Sequence, residues 1–135
     1  MAARTIWLCR FIGLFALIVG LSSLIRGGDL ATNMRLIVAD RPLLFVIGVI
    51  ALSAGLAMVL LHNVWSGGAA TIIITVIGWL STLRGVFILL TPVDLEARLL
   101  SGINLGALAS FYTVVFIVLG LYLTYAGFRK RTPAL

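Results

Sequence analysis

Apolar residues run in four long blocks, at about 6–25, 42–61, 70–91 and 105–128, separated by short polar segments. A hydrocarbon core about 30 Å thick is crossed by about 20 apolar residues in helical form, so each block predicts one membrane span. The expected fold class is all-α: four transmembrane helices in a compact bundle with short loops. The blocks and their loops use up residues 1–135, which leaves a single membrane domain and no room for a soluble one.

The polar segments between the blocks define their ends. Arg10 lies about one turn inside the first block and can snorkel back to the interface, where Trp7 also sits well. The basic start and apolar run resemble a signal peptide. The run is long, however, and no small-x-small cleavage pattern follows closely, so a retained span is expected. In residues 26–41, Gly27 and Gly28 end the first helix. Asp29 then caps a short interfacial helix carrying Leu30, Met34, Leu36, Ile37 and Val38, with Arg35 and Arg41 toward headgroups. Pro42 suits the first position of the second span. That span ends at His62-Asn63-Val64-Trp65, and Ser66-Gly67-Gly68 complete what reads as a tight turn between antiparallel neighbours. Pro92 closes the third span, and Asp94, Glu96 and Arg98 follow in a loop.

Composition narrows the class further. The chain is 62% hydrophobic and 10% charged, whereas soluble domains carry about a quarter charged residues. A net charge of +6 would point to nucleic acid on a soluble surface. Here the basic residues flank spans, so the expected partner is the bilayer with its anionic headgroups, and no nucleic acid. Cys9, the single cysteine, can form neither an internal disulfide nor a zinc site, and reads as a small buried apolar residue. Four spans put both termini on one side with Arg4, Arg10, Arg129, Lys130 and Arg131. The other side carries Arg26, Arg35, Arg41 and Arg98 together with all four acids. The positive-inside rule then predicts an inner-membrane protein with both termini cytoplasmic.

Each span also carries two glycines seven residues apart: Gly13 and Gly20, Gly48 and Gly55, Gly78 and Gly85, Gly120 and Gly127. Seven residues are about two helical turns, so each pair lies on one stripe. Ala16, Ala51 and Ser81 extend three of the stripes into small-xxx-small patterns. Such stripes let helix backbones approach where lipid removes the hydrophobic drive, and they predict a bundle built from related hairpins.

The pattern Ile77-Gly78-Trp79-Leu80, then Leu83-Arg84-Gly85 and Pro92, preceded by His62-Asn63-Val64-Trp65, resembles a family of small, uncharacterised bacterial four-helix integral membrane proteins. The glycine-bearing hairpin ending in proline is more loosely similar to acid-resistance (HdeD-type) membrane proteins, which have six spans where this chain has four. The resemblance implies a four-helix membrane fold and supplies no catalytic residue.

The candidate functional residues are Arg84, His62, Asn63, Trp65 and Trp79. Arg84 falls near the middle of the third span, where a charge costs about 2.5–3.5 kcal/mol on insertion scales. No span contains Asp or Glu. Ser22, Ser23, Ser53, Thr75, Ser81 and Thr82 offer hydroxyls. Arg84 either snorkels toward lipid phosphate or toward Asp94 and Glu96, or marks a site for an anion, an acidic lipid headgroup or a partner's carboxylate. His62 reads as an interfacial cap of the preceding helix, with a proton switch or one axial ligand to a tetrapyrrole as the alternatives. Asn63 and Trp65 read as helix terminator and interface anchor, and Trp79 as a core ring whose indole N–H needs an acceptor. No catalytic set, cofactor motif or metal-ligand cluster is present in the sequence. The function expected is therefore non-enzymatic: an accessory, interaction or self-associating structural subunit partnered by itself or another membrane protein. The alternative is an oligomeric small transporter or channel that uses Arg84 for an anion or lipid headgroup.

Overall fold

The structure, a computed structural model, describes residues 3–26, 29–92, 95, 102 and 104–129. Among these residues the chain forms five helices: α1 (Ala3–Arg26), α2 (Asp29–Ala39), α3 (Arg41–Leu61), α4 (Ala69–Leu90) and α5 (Leu105–Phe128). All but α2 are long and apolar enough to cross a bilayer, so this is a multi-pass membrane protein. Asp94, Glu96 and Arg98, the Gly27-Gly28 pair, the side chain of Asp29 and the basic tail from Lys130 lie outside the described residues.

Local chemistry sets the helix ends. The Asp40 carboxylate accepts the Leu43 N–H at 3.1 Å, with Pro42 in the first turn of α3, so the chain passes from α2 to α3 with one capping residue between them. The Asp40 N–H itself donates to the carbonyls of Leu36 and Ile37, closing α2. Asn104 Oδ1 accepts from the amides of Gly106 and Ala107 at the start of α5. Gly67 and Gly68 have φ of +101° and +114°, which L side chains rarely adopt, and Gly68 opens α4.

The four spans form a bundle of two tightly packed antiparallel pairs, α1 with α5 and α3 with α4. Glycine builds both. A Cβ at Gly13 would lie 2.6 Å from the Thr124 amide nitrogen, and one at Gly120 would lie 2.8 Å from that of Leu17. Gly20 faces Ile117, and Gly127 faces Arg10 and Cys9. In the second pair Gly55 abuts the Thr82 backbone, Gly85 the Leu52 backbone, Gly78 Met58 and Val59, and Gly48 Ile88 and Leu89. The facing residues sit three or four positions from a glycine on their own helix. Each helix therefore presents an alternation such as Arg10, Gly13, Leu17, Gly20, or Gly78, Thr82, Gly85, Leu89. That is the seam spacing of a coiled coil, with glycine at every second seam position and a larger residue filling the gap opposite. Only α3 and α4 are sequential neighbours. The α1–α5 pair joins the first and last spans, so hairpins alone do not build the bundle.

The two pairs touch each other much less. Their common core is Cys9, Ala70, Ile74 and Leu123, ringed by Leu8, Ile12, Met58, Ile73, Ile77 and Ala126. All of these lie in the half of the bundle where α1 begins and α5 ends. At the opposite end α2 crosses over α1, α3 and α5.

Candidate functional site

The stretch from His62 to Pro92 divides into two places at opposite ends of the bundle. At the end where α1 begins, α3 stops at Leu61 while α4 runs on, by the register of the glycine contacts, about two turns further. Residues 62–68 cover that distance as non-helical chain instead of turning tightly. Backbone without a helix needs local partners in a membrane protein, and Thr75 supplies them. Its hydroxyl is fully buried, lies 2.8 Å from the Val64 carbonyl oxygen to which it donates, and accepts the Val64 N–H at 3.3 Å. The carbonyls of Thr71 and His62 lie at 3.2 and 3.4 Å from the same oxygen. In the sequence Thr75 is one hydroxyl among several. Its spacing of 13 residues from His62 is a tertiary signal with no local signature.

Asn63, Trp65 and Trp79 come together here. Asn63 Oδ1 accepts the indole N–H of Trp65 at 2.9 Å and lies 3.5 Å from that of Trp79. Helical side chains lean toward the N-terminus of their helix, which lets Trp79 reach back along α4 toward the strap. Both indoles are exposed at the bundle's surface. Trp79 is thus an outer ring beside the strap and not the core ring expected, and Asn63 stands where its indole N–H needs an acceptor.

His62 ends α3 through its backbone, the N–H donating to the Met58 carbonyl at 2.8 Å. The imidazole does not do the capping. It is 4% exposed and its Nε2 has no hydrogen-bond partner among the described residues. It lines a cavity of about 540 Å³ together with Arg4, Thr5, Ser66 and Thr71, of which Thr5 and Thr71 are buried. No group of three or more metal-ligating side chains occurs among the described residues.

Arg10 closes the same end of the bundle. Its Nε donates to the Gly127 carbonyl at 2.8 Å and its guanidinium lies 4.7 Å from the centre of the Phe128 ring. The last turn of a helix has carbonyls without partners, and a cation there also opposes the helix dipole. Arg10 therefore reaches across to the last turn of α5 at the end of the bundle.

Arg84 is at the other end. It lies six residues before the end of α4 at Leu90, about 9 Å along the axis, on the α2 side of the middle of its helix. Its side chain borders a half-open cavity of about 360 Å³ between the two helix pairs, which it shares with Arg26, Ser22, Asn33, Tyr112 and Thr113. Ser23 and Thr113 hydrogen-bond at 2.8 Å across α1 and α5, and Thr113 also donates to the Ala109 carbonyl at 3.0 Å, which fixes that wall. Of the hydroxyls available by sequence, Ser22 and Ser23 border the cavity. Thr75 serves the strap, and Thr82 donates to the Gly78 carbonyl at 2.9 Å on its own helix. Arg26 and Asn33 were not legible as neighbours of Arg84, because α1, α2 and α4 meet only through the tertiary fold.

Comparison with protein families, curated proteins and solved structures finds no match.

Proposed function

We propose that this chain is a non-enzymatic subunit of a bacterial inner membrane, with both termini cytoplasmic, that works by associating with itself or with another membrane protein. The observation that carries this reading is the uneven packing of the bundle. Within each pair the helices meet closely through four glycines, most of them against the facing backbone. Between pairs, contact narrows to one small apolar core. On the α1–α3 side this leaves a groove of about 840 Å³ bordered by Trp7, Phe11, Ala54, Ala57, Met58 and Leu61. Trp7 and Phe11 stack at 5.3 Å along its edge, and the short side chains of the two alanines leave its floor open to the close approach of a further helix. A second copy of the chain would present the same groove, as a two-fold dimer requires.

Transport through one chain fits the geometry less well. The apolar core of Cys9, Ile74 and Leu123 stands between the Arg84 cavity and the opposite end of the bundle.

Native mass spectrometry of the full chain released from nanodiscs, compared with Ala57→Trp, tests association. A dimer or hetero-complex that dissociates on filling the groove supports the reading. A strictly monomeric chain in both bilayer and detergent, with no co-purifying partner, refutes it. The orientation is tested separately with C-terminal reporters, where activity confined to the periplasm would overturn it.

A further inference from the structure

We propose that the cavity between the helix pairs at the α2 end binds a phosphate-bearing anion, held by the paired cations Arg84 and Arg26. The inference does not depend on association. Two arginines, Arg84 from α4 and Arg26 from α1, line one half-open space of about 360 Å³, among whose described lining residues there is no carboxylate. Two cations in a shared site of reduced dielectric repel each other, and an oxyanion between them reverses the sign of that interaction. Guanidinium forks match phosphate oxygens in charge and in geometry, and charge-assisted bonds to phosphate are the strong class.

The remaining walls suit the same ligand. Ser22, Asn33 and Tyr112 bring further hydrogen-bonding groups, and the Ser23–Thr113 bond holds α1 and α5 at a fixed separation beside them. Toward the middle of the bundle the lining turns apolar with Ile18, Val19 and Phe116. A polar end beneath an interfacial helix and an apolar end toward the hydrocarbon match an amphiphile whose phosphate lies at headgroup level. The volume lies at the small end of ligand pockets, about 300–1,000 Å³, which fits a phosphate and a compact headgroup. The α4 position of Arg84 also gains a reason. A charge that costs insertion energy at this depth is retained where a headgroup phosphate can reach it.

The test uses the full chain, delipidated in dodecylmaltoside, with two probes in separate arms: dioleoylphosphatidylglycerol in mixed micelles and inorganic phosphate without lipid. Binding is read by native mass spectrometry and by the shift of the thermal unfolding midpoint. One bound phosphatidylglycerol per chain is expected, with affinity falling at least about tenfold in both Arg84→Gln and Arg26→Gln and by less in Arg84→Lys, which keeps the charge and loses the fork. Arg129→Gln, at the other end of the bundle, serves as the control and leaves binding unchanged. Phosphatidylglycerol binding without phosphate binding identifies a lipid headgroup as the source. Arginine-dependent binding of phosphate alone identifies a free anion. The proposal is overturned if neither probe binds, or if binding survives undiminished in both Gln variants while circular dichroism shows the helices intact.

Discussion

The glycine seam makes the sharpest quantitative prediction, because two glycines on one helix face different kinds of neighbour. An added Cβ at Gly55 would overlap the Thr82 amide nitrogen and lie 2.6 Å from Thr82 Oγ1 and 2.8 Å from the Ser81 carbonyl carbon. Two of these three atoms are backbone, so α4 itself must retreat. Carbon contacts settle at about 3.5–4.0 Å, so the retreat is about 1 Å, and a gap of that size forfeits up to about half of each contact's ~0.1–0.2 kcal/mol. Over about 30 atom pairs the loss is about 2 kcal/mol, and residual strain adds about 1 kcal/mol, the low end for overpacking. Alanine's better helix propensity returns about 1 kcal/mol. The net expectation for Gly55→Ala is destabilisation by about 2 kcal/mol, roughly 30-fold in the folding equilibrium. At Gly48 the crowding atoms are all side-chain atoms, Ile88 Cγ2 at 2.8 Å and Leu89 Cδ2 and Cγ at 3.1 Å, so the facing backbone is not what an added methyl meets. Gly48→Ala should therefore cost less than Gly55→Ala, about 1 kcal/mol, with the stiff, β-branched Ile88 supplying most of the strain and the propensity gain offsetting part of it. Reversible SDS titration in dodecylmaltoside, followed by circular dichroism, measures both. The reasoning fails if Gly55→Ala is as stable as the parent, or if Gly48→Ala is the more damaging of the two.

Three further outcomes follow from the strap. Thr75→Val keeps the shape and removes the hydroxyl that serves Val64, so a loss of about 1–3 kcal/mol in the same titration is expected; no loss would mean that the strap is held elsewhere. Asn63→Leu removes the shared acceptor of the Trp65 and Trp79 indoles. At this exposed site about 0.5–1 kcal/mol should be lost, with a shift in tryptophan emission that Asn63→Asp largely avoids, and identical spectra for Leu and Asp would sink the idea. His62→Phe removes a buried Nε2 that has no partner among the described residues, so it should be neutral or stabilising by up to about 2 kcal/mol; a clear loss would show that the imidazole has a partner in the membrane-embedded protein.

The sequence by itself determined that this chain crosses a bilayer four times, because a 20-residue apolar block has one stable way to satisfy its backbone in lipid. It also determined that glycines spaced by seven fall on one face of each helix, since helical geometry alone fixes that. It gave the ends of the helices as well, at Asp40-Arg41-Pro42, Gly67-Gly68 and Pro92, where the conformational preferences of single residues decide. Which stripe meets which was a tertiary decision. The seam alternates glycine with Thr82, Leu52, Thr124 or Leu17, and those partners are recognisable only once α1 lies against α5 and α3 against α4. The same holds for the two sites. Thr75 becomes the holder of the strap because α4 outruns α3, and the length difference is visible only in register. Arg84 looked isolated because no acid lies in any span; the fold gives it Arg26, Ser22 and Asn33 for company, contributed by α1 and α2. Charge and periodicity are local properties that a chain carries openly, whereas a cavity belongs to surfaces that meet only after the helices have paired.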